Sequence, residues 1–310
     1  MLRYTLKRLA VGLATVYFIA TATFAAMHLV PGDPISGAKA MRPEIRANLE
    51  KRYGLDRPLA VQYGVFLRNM LKGDFGISFT QQNRSVNDII REHFPVSAVL
   101  GVLAILVAGV GGILFGSLTA LLRGKFADRT VMFLVILGIS VPSFVFAALG
   151  QYLVTLANAR AGTTLLPVAG WGTFRHMLLP ALVLGLGTMA FLTRLMRSSL
   201  LEIVHLDYVR TARAKGVRDT LVVLHHALRN AVLPVLTISG VLFGFLLSAS
   251  VAVEQAFAVS GLGTALVQAF QERDLLVVQT LVLLYGVVFV VVNLLIDLAY
   301  VWVDPRIRYT

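Results

Sequence analysis

The sequence predicts an all-α polytopic membrane protein with six transmembrane helices. Two observations carry that expectation. Hydrophobic residues make up 57% of the 310-residue chain and charged residues only 14%, where a soluble domain would be nearer half and a quarter. Lysine and arginine also distribute very unequally between the two sets of loops that six apolar runs would create.

Span one is read at about 9–30, behind Arg3, Lys7 and Arg8. Its length and the following Pro31-Gly-Asp-Pro34 argue against a cleavable signal peptide. A polar region, 31–94, follows as short helices Arg42–Tyr53, Leu59–Lys72 and Val86–Glu92, separated by Pro43, Pro58, Gly73 and Gly76. Span two is about 96–122, closed by Arg123-Gly-Lys125, and span three about 131–157, with a kink expected near Pro142. Span four is about 177–196, span five about 234–256 after a reset at Pro234, and span six about 277–303, before a short tail from Asp304. This gives a first helix in 1–30, a helical region at 31–94, a five-helix core at 95–303 and a tail at 304–310.

Fifteen basic residues fall in the N-terminal tail, the loop after span two, the segment after span four and the C-terminal tail. Only Arg160, Arg175 and Arg273 fall in the short loops opposite. That bias orients both termini to the cytoplasm. It also accounts for the net charge of +12 without a nucleic-acid partner.

The segment after span four is the least membrane-like part of the core. Asp207 is read as an N-cap, Tyr208 and Val209 as apolar grip, Ala212 and Ala214 as helix formers, and Gly216 as a left-handed stop. A second short helix is expected from Asp219, with Leu221, Leu224 and Leu228 on one face. Binding to anionic lipid would need a longer apolar face than Ala212 and Ala214 supply, so the pattern favours docking to a soluble partner.

Several chemistries find no support. There is no phosphate-binding Gly-x-x-x-x-Gly-Lys-Ser/Thr loop, no His-Glu-x-x-His and no cysteine. The histidines, including adjacent His225 and His226, are not spaced as metal ligands. Asp297 in span six reads as part of a proton or cation relay or, by preference, as a near-interface carboxylate paired with Arg306, Arg308 or the cytoplasmic segment. Glu254 reads as a substrate contact or, by preference, a partner of Arg273. Gly109, Gly111, Gly112, Gly116, Gly185 and Gly187 fit either a moving helix interface or ordinary close packing.

An ordered set of motifs spans nearly the whole chain. It comprises Pro31-Gly-Asp-Pro34, Gly54-Leu-Asp-Arg-Pro-Leu59, Gly73-Asp-Phe-Gly-Ile-Ser78, Ser140-Val-Pro-Ser-Phe144 and Asp207-Tyr-Val-Arg-Thr-Ala-Arg-Ala-Lys-Gly216. It continues with His226-Ala-Leu-Arg-Asn-Ala231, Leu233-Pro234, Gly261-Leu-Gly263, Arg273-Asp274 and Asp304-Pro-Arg-Ile-Arg-Tyr309. In this set the chain resembles permease subunits of ABC importers, of the oligopeptide/dipeptide/nickel branch. The long 31–94 region is similar to that of the first permease subunit of oligopeptide systems.

The resemblance implies a type I ABC importer transmembrane domain in a bacterial inner membrane. It implies a heterodimer with a second permease, two cytoplasmic ATPases that hold ATP and Mg, and an extracytoplasmic binding protein that delivers a peptide. No cofactor is implied for this chain itself. The coupling segment would lie in 197–233, with Asp207, Tyr208, Arg210, Thr211, Ala212, Arg213, Ala214, Lys215 and Gly216 contacting an ATPase. Ser140, Pro142, Ser143, Glu254, Arg273 and Asp274 form a candidate gate or pathway set. Arg210 stands where the family's general Glu-Ala-Ala-x-x-x-Gly frame has Glu, so contacts of that Glu do not transfer. Ser260 and Leu275-Leu276 also replace residues usual in the branch. Alternatives are a permease for nickel, glutathione or another small solute, an ion-coupled carrier, and a membrane enzyme.

Overall fold

A computed structural model describes residues 2–29, 51, 54, 56–81 and 84–303. Ten α-helices are used below to describe the fold. They are α1 (Leu2–Leu29), α2 (Leu59–Lys72), α3 (Val86–Leu121), α4 (Phe126–Ser140), α5 (Ser143–Ala161) and α6 (Phe174–Ile203), followed by α7 (Asp207–Ala214), α8 (Leu228–Ala256), α9 (Leu262–Gln271) and α10 (Leu275–Val303). A three-residue turn, Asp219–Leu221, and a π-helical stretch, Val222–Ala227, lead directly into α8. One isolated antiparallel bridge joins Ile77 and Ser85. Among the described residues, five stretches are long and apolar enough to cross a membrane, and the bent pair α4–α5, taken as one span, makes six.

Prolines decide where the expected boundaries fail. At Pro142 both Val141 and the proline leave the helical region, with ψ 127° and 144°, and α4 and α5 meet at 114°. The expected kink is therefore a break, because the ring also pushes the preceding residue into extended geometry. At Pro95 the opposite holds. Val86–Glu92 is not a separate helix but the start of the 36-residue α3, about 54 Å long. The turn around Pro95 is held from outside: Leu262 N–H donates to Ser97 Oγ at 2.8 Å, and His93 Nδ1 lies 2.8 Å from the Ser260 carbonyl. Pro234 does not reset the chain either. The helix runs through it, with Ser199 Oγ donating to the Ala231 carbonyl at 3.1 Å and Val235 fully buried. Of the three expected helices in 31–94, Leu59–Lys72 is present as drawn. Arg42–Tyr53 lies almost wholly outside the described residues, as do Pro31–Pro34 and the tail from Asp304.

The chain divides into two compact units. The first comprises residues 1–97, 260–298 and 305–310. Its core joins Val86 and Ile89 of α3 to Leu262, Ala265 and Ala269 of α9 and to Val277 and Leu281 of α10. The sequence reading placed no element between spans five and six; α9 occupies that gap, with Leu262, Ala265 and Ala269 at helical spacing on its buried side. In this unit α2 lies against α1, where Thr21 and Tyr63 hydroxyls are 2.7 Å apart and Phe24 meets Tyr63 edge-on.

The second unit comprises residues 98–259 and 299–304. Leu192, Met196 and Leu200 of α6 are fully buried between Ala108 and Ala120 of α3 and Ala231 and Val235 of α8. Hydrocarbon does not drive apolar helices together, so close backbone approach must supply the attraction. The glycines do this. A Cβ on Gly112 would fall 2.6 Å from Leu192 Cβ, and one on Gly116 2.6 Å from the Thr193 carbonyl oxygen. One on Gly185 would fall 2.7 Å from the Ala104 carbonyl oxygen, whereas Gly109 has open space. Close packing therefore accounts for Gly111, Gly112, Gly116 and Gly185.

Candidate functional site

The segment after α6 folds as a short helix braced against the base of α8. Helix α7 begins at Asp207, which is its first residue and not its cap; Leu206 holds the cap position without a side-chain bond. An aspartate in the first turn still favours the helix dipole. Its side chain is open to solvent, 3.9 Å from Arg210. Thr211 Oγ1 donates to the Asp207 carbonyl at 2.8 Å. The end is closed as expected by a Schellman motif: Gly216, at φ +78°, donates to Arg213 at 2.9 Å and Val217 to Ala212 at 3.4 Å.

Two residues fix α7 in place. Val209 is fully buried, and Tyr208 Oη donates to the His226 carbonyl at 3.3 Å while accepting from Asn230 Nδ2 at 2.8 Å. His226 sits in the π-helical stretch, where Leu228 N–H reaches back to the Val223 carbonyl. Such stretches are rare and concentrate at functional positions. The remaining members, Arg210, Thr211, Arg213, Ala214, Lys215 and Gly216, are exposed, and Ala212 is half-buried. The result is a basic, alanine-rich knob anchored through Tyr208 and Val209.

A largely buried ion pair joins α6 to the start of α4. Arg197 of α6 donates through Nε to Asp128 Oδ1 and through Nη2 to Asp128 Oδ2, both at 3.0 Å. Gly124 N–H adds a third donor at 2.9 Å. By sequence Arg197 is one of the fifteen basic residues that set topology, and no motif marks Asp128. No spacing signal links residues so far apart in the chain. Asp128→Asn is expected to lower stability by about 1–3 kcal/mol, the cost of stranding a largely buried guanidinium, tempered by its partial exposure. Arg197→Lys should lose the two-pronged geometry and fall in between; thermal unfolding in detergent checks both.

The candidate gate residues separate into three places. Ser140, Pro142 and Ser143 sit at the α4–α5 break. Glu254 is fully buried on α8, with Ser250 Oγ at 2.7 Å from its carboxylate, and its carbonyl accepts from Val259. Arg273 and Asp274 form the corner between α9 and α10. Arg273 has φ +58°, and Asp274 N–H donates to the Ala269 carbonyl at 2.8 Å, closing α9. Asp274 then caps α10, accepting from Val277 N–H at 3.3 Å. Its other oxygen accepts from Phe79 N–H at 3.0 Å, Thr80 Oγ1 at 3.0 Å and Ser78 Oγ. Asp274 is thus an anchor for the loop at 78–80. Asp274→Ala is expected to cost about 3 kcal/mol by stranding several buried donors, and to raise protease cleavage between residues 73 and 85. Asp274→Asn, which keeps the shape, should cost less.

Three histidines make side-chain contacts to neighbouring segments or helix ends. His28 contacts the Phe24 carbonyl and Gln62, His93 the Ser260 carbonyl, and His176 the cap residue Thr173. The Asp297 pairing considered from the sequence falls on side chains outside the described residues.

The fold defines a multi-pass helical membrane protein. Residues 112–309 match the family of binding-protein-dependent transport system inner membrane components, and residues 1–101 match the N-terminal membrane-component family of the same systems. The chain is 39% identical to the dipeptide transport system permease DppB of Bacillus subtilis, covering 99% of this chain and 98% of that one. It is also 39% identical, over the full length of both chains, to the oligopeptide permease OppB of Haemophilus influenzae and to the glutathione permease GsiC of Salmonella choleraesuis. Among solved structures, the inward-facing MetNI methionine ABC transporter aligns with a TM-score of 0.56 at 20% identity, covering 70% of this chain and 96% of that chain. An amino acid ABC transporter aligns at 0.52 and 16% identity, covering 69% and 93%. The protein belongs to the binding-protein-dependent transport family, as an ABC importer permease subunit of the inner membrane.

Proposed function

We propose that this chain forms, with a second permease subunit, the pathway of an ATP-driven peptide importer. The observation that carries the substrate class is full-length similarity to permeases named for dipeptides and oligopeptides. Basic residues around α7 and in both termini favour a cytoplasmic position for these elements. In this reading α7 and the π-helical stretch enter a cleft of a cytoplasmic ATPase, which holds ATP and Mg. ATP-driven movement of that cleft reaches α8 through Tyr208 and Val209, because a braced helix moves as a body. An extracytoplasmic binding protein presents the peptide, and the chain hydrolyses no nucleotide itself.

The test is uptake of radiolabelled di- to pentapeptides into proteoliposomes holding the complete complex, its binding protein and internal ATP. Peptide accumulation that stops without ATP is expected. Nickel accumulation without peptide uptake would replace the substrate, and ion-driven uptake by this chain alone would overturn the mechanism.

A further inference from the structure

Helix α4 is fastened to α6 at two places within the second unit, and the two fastenings differ in kind. At its first turn Asp128, 5% exposed, accepts from Arg197 Nε and Nη2 at 3.0 Å and from Gly124 N–H at 2.9 Å. About 15 Å further along α4 the contact is apolar. A Cβ on Gly138 would fall 3.1 Å from Ala190 Cβ, and one on Gly187 3.5 Å from the Gly138 carbonyl oxygen. Small residues let the backbones meet, but they put no side chain across the interface to stop α4 sliding or turning on α6. Two parallel bonds to one guanidinium do stop it, because they fix orientation as well as distance.

Beyond Arg197 no slack chain precedes α7. Val204 N–H donates to the Leu200 carbonyl and Leu206 N–H to the Ile203 carbonyl, both at 3.0 Å. Val209 N–H of α7 then donates to the Leu206 carbonyl at 3.0 Å. The other end of α4 lacks such continuity, since its ladder stops at extended Val141 and at Pro142, which has no N–H. We infer that Asp128 and Arg197 are positioning residues for transport: their pair makes α4 follow α6, so that movement of α7 reaches α4 and the Pro142 break as well as α8. This rests on the reading of α7 as the ATPase-docking element. A buried ion pair adds little net stability over a well-packed apolar pair, so folding alone gives no reason for charges here. What apolar side chains would not reproduce is the fixed register.

The experiment measures peptide taken up per ATP hydrolysed by the complete importer, with its binding protein, in proteoliposomes. The double variant Asp128→Leu with Arg197→Met removes both charges together and leaves neither stranded. It is expected to keep ATPase co-purification and hydrolysis within about twofold, while peptide per ATP falls about fivefold or more. Arg197→Lys, which keeps the charge and loses the fork, should lower the ratio about twofold. Wild-type ratios in both variants overturn the inference, even where less importer is recovered, because a merely structural role lowers uptake and hydrolysis together. A second measurement needs no change to the pair. The chain has no cysteine, so spin labels at Thr130→Cys on α4 and Ser198→Cys on α6, both exposed, report one distance. That distance should change by less than about 2 Å between nucleotide-free and ATP-bound importer, and a larger change overturns the clamp. Loss of ATPase co-purification on disrupting α7 is the separate test of the docking reading; if α7 proves dispensable, this inference falls with it.

Discussion

Gly116→Leu is expected to prevent the crossing of α3 and α6 and remove most folded protein from the membrane. Even a single Cβ at this position meets the Thr193 carbonyl oxygen at 2.6 Å and Met196 Cβ at 2.6 Å. The backbone atom belongs to a helix whose neighbours Leu192 and Met196 are fully buried, so it cannot withdraw without opening the core. Gly116→Ala should therefore cost about 1–3 kcal/mol, the usual range for overpacking, and leucine more. Gly109 supplies an internal control. It lies two turns earlier on the same helix with nothing within 4 Å of its Cβ position, and Gly109→Leu should change stability by no more than about 0.5 kcal/mol. Thermal unfolding in detergent, monitored by size-exclusion recovery, separates the two. Equal losses at both positions would mean that the crossing is not what holds these helices.

Gly216→Val is expected to leave the membrane core intact yet abolish most uptake and ATPase co-purification. The backbone here is left-handed, which costs a β-branched residue about 1–3 kcal/mol. That lowers the population of the closed helix end roughly five- to 150-fold, at about 1.4 kcal/mol per factor of ten. Gly216→Pro should act more strongly, because it also removes the N–H that donates to Arg213. Gly216→Asn is the rescue, since asparagine tolerates this conformation. Ala212→Trp tests the other requirement, a narrow knob, and should block docking with the helix preserved. Wild-type co-purification and uptake in Gly216→Pro and Ala212→Trp together would reject this segment as the coupling element.

How much of this was legible beforehand follows the range of the forces involved. The Gly216 stop, the helix Leu59–Lys72 and the place of the disruption at Pro142, though not its depth, are readable because each depends on residues within one turn. The same local rule misled at Pro95 and Pro234, where donors and buried neighbours from distant segments hold the helix together. Asp207 looked like a cap because the sequence shows residue type and not the backbone angle that places the boundary at Leu206. Asp274 read as a gate residue, since nothing in Arg273-Asp274 announces the backbone donors at Phe79 and Thr80.

By itself, then, the sequence determined the class of protein, the number of spans and the basic segment around 207–216. These follow from hydropathy, charge sign and local backbone preference, which act residue by residue. Only the tertiary structure decided which glycines carry the helix crossings, that Asp128 answers Arg197, and that Asp274 anchors the loop at 78–80. Those depend on atoms brought within about 3 Å of each other from remote parts of the chain, a distance that no periodicity encodes.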